Sequence, residues 1–249
     1  MRNKFVVGNW KLNGSLRANA ELLAILGQKI AAKDAKTCAV CVPAPYLAQV
    51  RELLVGKAIA WGGQDASRYE KGAYTGEIAA AMLAELDCRF CIVGHSERRA
   101  LFGESDEVVA EKLGRVKSAG LIPIACVGET LTEREAGHTE QVVGRQVDAI
   151  TAMYGAEALR GVVFAYEPVW AIGTGKTASP EQAQAVHAFL RKKLAGVDAG
   201  LAAQLPILYG GSVKAANAAE LFAMPDIDGG LVGGASLVAD EFVGIWSAL

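Results

Sequence analysis

Eight short apolar runs recur along this chain, and a helical pattern follows each of them. The runs fall at 4–8, 38–42, 58–61, 90–93, 121–127, 162–166, 207–209 and 230–232. They are continuously apolar rather than alternating, as strands read when both faces are covered, and a helix between successive strands makes those strands parallel neighbours. The helices carry their own period. Leu22, Ile25, Leu26 and Ile30 fall at i, i+3, i+4 and i+8, as do Val186, Phe189, Leu190 and Leu194. Val109, Leu113 and Val116, and then Val143, Val147 and Ile150, fall at i, i+4 and i+7. Eight units is the number that closes a parallel sheet on itself. The expected fold class is therefore α/β, a (β/α)8 barrel with an all-parallel eight-stranded closed sheet surrounded by helices. An open doubly wound sheet would want a G-x-G-x-x-G turn after the first strand, and Gly8-Asn9-Trp10-Lys11-Leu12 does not supply one. No linker, composition break or low-complexity run divides the series, so residues 1–249 read as one barrel domain.

Bulk charge excludes some partners. With 25 basic and 27 acidic residues the formal net charge is −2, which gives no footprint for nucleic acid or an anionic membrane. No apolar run approaches the roughly 18 residues of a spanning helix, and Phe5-Val6-Val7 is too short for a signal sequence. A cytoplasmic location is expected. Two cysteine pairs have C-x-x-C spacing, Cys38 with Cys41 and Cys88 with Cys91. Strand residues three apart point to opposite faces, so Cys38 and Cys41 cannot chelate one ion, and no glycine turn between Cys88 and Cys91 folds a knuckle. The thiols read as small buried hydrophobes, and no metal or cofactor is expected.

Active sites of such barrels gather at the carboxyl ends of the strands. Asn9 and Lys11 follow the first strand, His95 and Glu97 the fourth, Glu129 the fifth, Glu167 the sixth, Ser212 the seventh, and Gly233 with Gly234 the eighth. If the first strand persisted, Phe5, Val7, Asn9 and Lys11 would share one face. A lone strand-end histidine is more often a satisfied core residue and a lone lysine a solvated charge. Here several strands aim reactive types at one mouth.

Glu167 ends a buried run, and a segment with the look of a lid follows it: Pro168, Val169, Trp170, Ala171, Ile172, Gly173, Thr174, Gly175 and Lys176. Proline stops the strand, the apolar cluster supplies an underside, and the glycines act as hinges over a reaction kept from water. Gly175-Lys176-Thr177 mimics the end of a phosphate-binding P-loop, but Trp170 stands where the first glycine would be. Ser179-Pro180-Glu181-Gln182 also starts the next helix too late for one. The glycine pairs 210–211 and 233–234 lie in the two loops where barrels often bind phosphate.

These motifs taken together (GNWKLNG with Asn9 and Lys11, VGHSERR with His95, AYEPVWAIGTGKT with Glu167, YGGSV at 209–213, GGASL at 233–237) resemble those of the triosephosphate isomerase family over the whole length. The resemblance implies a TIM barrel that interconverts dihydroxyacetone phosphate and glyceraldehyde 3-phosphate without a cofactor. It assigns catalysis to Lys11, His95 and Glu167, support to Asn9 and Glu97, and phosphate contacts to Gly173, Ser212, Gly233 and Gly234. It also implies a homodimer in which Gly72-Ala73-Tyr74-Thr75-Gly76-Glu77 inserts into the neighbouring subunit. Leu12 stands where the family usually has Met, and Ala79 where Ser is common. Two rival readings are a non-catalytic phosphosugar-binding barrel, which would lack the base, and a nucleotide binder built on Gly175-Lys176-Thr177. A metal-dependent epimerase would need clustered ligands, whereas His138 and His187 fall in helical or loop segments.

Overall fold

Alternation along each strand sorts the apolar residues into two cores. The computed structural model describes residues 2–33, 35–172 and 177–249. Its strands are β1 (Lys4–Asn9), β2 (Lys36–Cys41), β3 (Ile59–Gly63), β4 (Phe90–Val93), β5 (Ile122–Val127), β6 (Val163–Tyr166), β7 (Ile207–Tyr209) and β8 (Gly229–Val232). Each pairs in parallel with the next, and β8 closes on β1, with Phe5 opposite Gly229 and Gly8 opposite Val232. One core fills the barrel: Phe5 and Val7 meet Cys41, Phe90, Ile92, Ile124, Cys126 and Leu208. The other lies between sheet and helices, and takes the opposite face of the same strands, as with Val6, Val40, Val93 and Phe164. Cys38 belongs to the outer core and Cys41 to the inner one, so this C-x-x-C pair faces two ways. All five cysteines are buried free thiols, and burial pushes Cys38 and Cys41 up, out of the range where they ionise.

The helices cover the outside on the faces their periods define. Val109, Leu113 and Val116 are buried on the helix Asp106–Ser118, and Val143, Val147 and Ile150 on the helix Thr139–Tyr154. The first helix, Leu16–Lys29, buries Leu26, with Ile30 just beyond it and Leu22 packed against the core, as expected, but Asn19 and Leu23 also face inward and Ile25 is 40% exposed. Two adjacent apolar stripes were available there. Asn19 selects the one that faces its neighbour, because its amide donates to Gln49 Oε1 on the next helix at 3.1 Å.

At the amino-terminal end of the barrel a set of partly buried charges is stitched together around the buried Asp228. Asp228, next to β8, accepts from Arg2 Nε and Arg191 Nη2, both at 2.8 Å, and from the Ile207 N–H at 3.0 Å. Arg191 also holds Asp226 at 3.1 Å and donates to the Ala202 carbonyl at 2.9 Å. Such pairs hold geometry more than they add stability, and removing one partner strands a buried charge.

Candidate active site

Glu167 follows β6 directly and still belongs to the sheet, since its N–H donates to Val127 O at 2.8 Å. Pro168 then ends the ladder, which leaves the glutamate side chain at the barrel mouth. The carboxylate is 2% exposed. One oxygen lies 2.9 Å from His95 Nε2, and the other accepts the Ser96 N–H at 2.9 Å. Two glycines make room for this residue. A β-carbon on Gly128 would stand 1.9 Å from the Glu167 carbonyl oxygen, and one on Gly210 would stand 2.9 Å from Glu167 Cγ.

His95 caps the short helix Ser96–Phe102, its Nδ1 accepting the Glu97 N–H at 3.2 Å. A ring nitrogen that accepts carries no proton, so the proton sits on Nε2, facing Glu167. Burial acts against a charged ring, but the charge and hydrogen bond of Glu167, then the charge of Glu97, outweigh it, and the net shift of His95 is upward. The larger raising influence belongs to the Glu167 carboxylate at Nε2, while the backbone N–H at Nδ1 favours the neutral ring.

Asn9 closes β1, 5% exposed. The strand does not persist to Lys11, which differs from the expected shared face. Lys11 has a left-handed backbone, φ 52°, which swings the side chain back across the mouth. Asn9 Oδ1 stabilises that turn by accepting the Lys11 N–H at 3.0 Å. Glu97 stands behind the cleft rather than in it, forming an ion pair with Lys11 and lying 3.5 Å from His95 Nδ1. Gln64, just past β3, was not expected from the sequence. Its amide donates to Lys11 O at 2.9 Å and lies 3.2 Å from Cys41 O and 3.3 Å from Asn9 Oδ1, tying the Lys11 turn to two strands.

A cleft of about 300 Å³ gathers Asn9, Lys11, His95 and Glu167 on one side and Ser212, Gly233 and Gly234 on the other. Lys214, exposed at its rim, also escaped the sequence reading. Gly234–Leu237 forms a single turn of 3-10 helix after β8, and the helix Ala215–Phe222 follows β7. Gly173, expected at the same anion, lies outside the described residues. So do Thr174, Gly175 and Lys176 of the expected lid. Of that lid's first half, Pro168 and Ala171 are buried, Val169 and Trp170 are partly buried, and Ile172 reaches the cleft wall. Trp170 Nε1 donates to Glu129 Oε1 at 3.0 Å, and the Tyr166 hydroxyl donates to the same oxygen at 3.1 Å. The Arg134 guanidinium lies 3.2 Å from it and 4.5 Å from the Trp170 ring centre. Ser179 and Gln182 form a reciprocal cap with Pro180 in the first turn, so the helix after Thr177 begins at Pro180.

A closed parallel barrel with a buried carboxylate, an imidazole and an ammonium at its carboxyl-terminal mouth, facing a glycine-lined recess, places this chain in the class of (β/α)8 enzymes. A profile described as triosephosphate isomerase matches residues 4–249. The triosephosphate isomerase of Thiobacillus denitrificans is 63% identical over 248 residues, covering 100% of this chain and 99% of that protein. Those of Ralstonia nicotianae (59%, with 99% of both chains covered) and Nitrosomonas eutropha (57%, with 98% of this chain and 97% of that one) are similar throughout. The chain belongs to the triosephosphate isomerase family.

Proposed function

We propose that this protein interconverts dihydroxyacetone phosphate and D-glyceraldehyde 3-phosphate, with Glu167 as the base that carries a proton between adjacent carbons. The observation that supports this most directly is the buried Glu167 carboxylate in one cleft with His95 and Lys11. A base serving two carbons needs a carboxylate on a flexible stem at a fixed backbone seat. Charge that develops on the substrate oxygen is met by the Lys11 ammonium and the His95 Nε2–H, both set before the reaction begins. Ser212, Gly233 and Gly234, with Gly173, are assigned the phosphate. Asn9 and Glu97 are assigned support, through the bonds they make to Lys11 and His95.

The residues act without a metal in this reading. Dihydroxyacetone phosphate in a coupled assay with excess chelator should be isomerised at the rate seen without chelator. Loss of activity to the chelator, or phosphosugar binding without turnover, would sink the assignment. A nucleotide-binding reading is not favoured, because the helix after Gly175-Lys176-Thr177 starts at Pro180.

The chain is also read as one barrel domain, acting in the cytoplasm as a homodimer. Five unpaired, buried thiols suit a reducing compartment. Among the described residues, no helix is long and apolar enough to cross a membrane. The 72–77 loop is exposed throughout and its Tyr74 ring stacks on Tyr69 at 3.7 Å, while Leu12, after β1, is 96% exposed and Phe102, at the end of the helix Ser96–Phe102, is 66% exposed. An ordered loop and bare apolar side chains fit a second copy of the chain. Thr75→Arg should shift sedimentation to a monomer that is weakly active when dilute, and a fully active monomer would contradict the pairing.

A further inference from the structure

Gln146 lies outside the cleft that holds Glu167, His95 and Lys11. It is 5% exposed, on the inward face of the helix Thr139–Tyr154. Its Oε1 accepts the Gly128 N–H at 2.8 Å, and its Nε2 donates to the Gly128 carbonyl at 3.1 Å. Gly128 is the first residue past β5, where the ladder ends. A side-chain amide that donates and accepts at once does there what a neighbouring strand's peptides do along a sheet.

The Gly128 peptide sits between the catalytic carboxylate and the turn beyond it. Its α-carbon is packed on the Glu167 carbonyl so closely that no β-carbon fits. Val127, just before it, accepts the Glu167 N–H at 2.8 Å. Glu129, just after it, accepts the Val169 N–H at 3.2 Å on its carbonyl and Trp170 Nε1 on its carboxylate. Three successive residues therefore hold Glu167, Val169 and Trp170.

We infer that Gln146 is a positioning residue for the isomerisation: by fixing the Gly128 peptide it sets the backbone seat of Glu167 and the Glu129 anchor of Trp170. This rests on Glu167 being the base. The residue type follows from the pattern. Methionine would fill the volume and leave both groups of Gly128 unmet, while a glutamate anion would meet the N–H and oppose the carbonyl. Only a protonated glutamic acid restores the donor. The charged groups around the site are Arg99, Arg145, Glu104, Asp106, Glu107, Glu133 and Glu167, which share with Gln146 a cavity of about 500 Å³. Both arginines are engaged by Asp106, at 2.6 and 2.9 Å, and so are not idle counterions for a new carboxylate.

Gln146→Glu and Gln146→Met are compared with the wild type by steady-state kinetics on dihydroxyacetone phosphate from pH 5.5 to 8.5, with circular dichroism at each pH. At pH 8 both variants should lose about tenfold in kcat with KM changed less than about twofold, as expected when roughly 1.4 kcal/mol of transition-state stabilisation is lost. The Gln146→Glu deficit, taken as a ratio to wild type, should shrink as pH falls, and the Gln146→Met deficit should stay constant. Unchanged kcat in both variants, a loss confined to KM, or a Gln146→Glu deficit insensitive to pH would overturn the inference. If one variant does not fold, the other still decides, through its kcat against its KM. A wild type that does not isomerise the substrate at all would instead sink the isomerase reading.

Discussion

The two ends of the barrel both bury charge, and they use it differently. At the amino-terminal end Asp228 has a partner for each oxygen, and Arg191 is held by two carboxylates and backbone carbonyls. At the carboxyl-terminal mouth Glu167 is just as buried, yet its two oxygens rest on one N–H and one imidazole beside an open cleft. The first arrangement has no vacancy for anything else. The second is built of single bonds that can be exchanged for bonds to a ligand. Burial by itself therefore does not mark a working residue; the partners and what lies next to them do.

That contrast breaks most visibly at Arg191. Arg191→Met leaves Asp226 without its arginine and Asp228 with Arg2 alone, and should cost about 3 kcal/mol of stability while the folded protein keeps its kcat. Urea midpoints and kinetics on the same preparation check both halves. A variant as stable as the wild type would mean the amino-terminal network is ornamental. Glu167→Asp tests the other end. It moves the carboxylate by about an ångström and should lower kcat about a hundredfold, equivalent to about 2.7 kcal/mol, with little change in the urea midpoint. Equal turnover would remove Glu167 from the chemistry.

A smaller effect lies between the two ends. His187 is fully buried behind Tyr166 and Tyr209, where burial lowers it from 6.5 to about 3. Between those values the unfolded chain binds a proton that the folded one refuses. The neutral ring's contribution is whole above pH 6.5 and falls, by at most about 1.4 kcal/mol per pH unit, as pH drops toward 3. His187→Gln should therefore shrink its stability gap to wild type between pH 7 and pH 5. A gap that widens on acidification would contradict the assignment of a neutral ring.

Local signals made much of the molecule legible. β4 and β7 occupy the expected spans, and the faces of the helices Asp106–Ser118 and Thr139–Tyr154 match their apolar periods. The strand-end rule located the cleft residues because a parallel barrel brings every strand's carboxyl end to one mouth. What escaped was set by contacts distant in sequence or by backbone geometry. Ile25 and Leu23 are equal candidates for an apolar stripe until Gln49 is known to lie beside Asn19. The left-handed turn at Lys11 has no glycine to announce it. Gln64 and Gln146 act through backbone groups just past the ends of β1 and β5, and an amide doing so leaves no period and no motif.

His95 also begins the helix Ser96–Phe102, and that double duty reaches beyond the reaction. A designer who wishes to put new chemistry on this barrel cannot treat position 95 as a blank site. A replacement that fails to cap frays the first turn, and the Ser96 N–H that seats Glu167 is part of that turn. Asparagine is the one amide short enough to begin a helix well, so it is the substitution that removes the imidazole while sparing the helix. With His95 in the role proposed for it, a single substitution there touches the start of the helix and the chemistry at once.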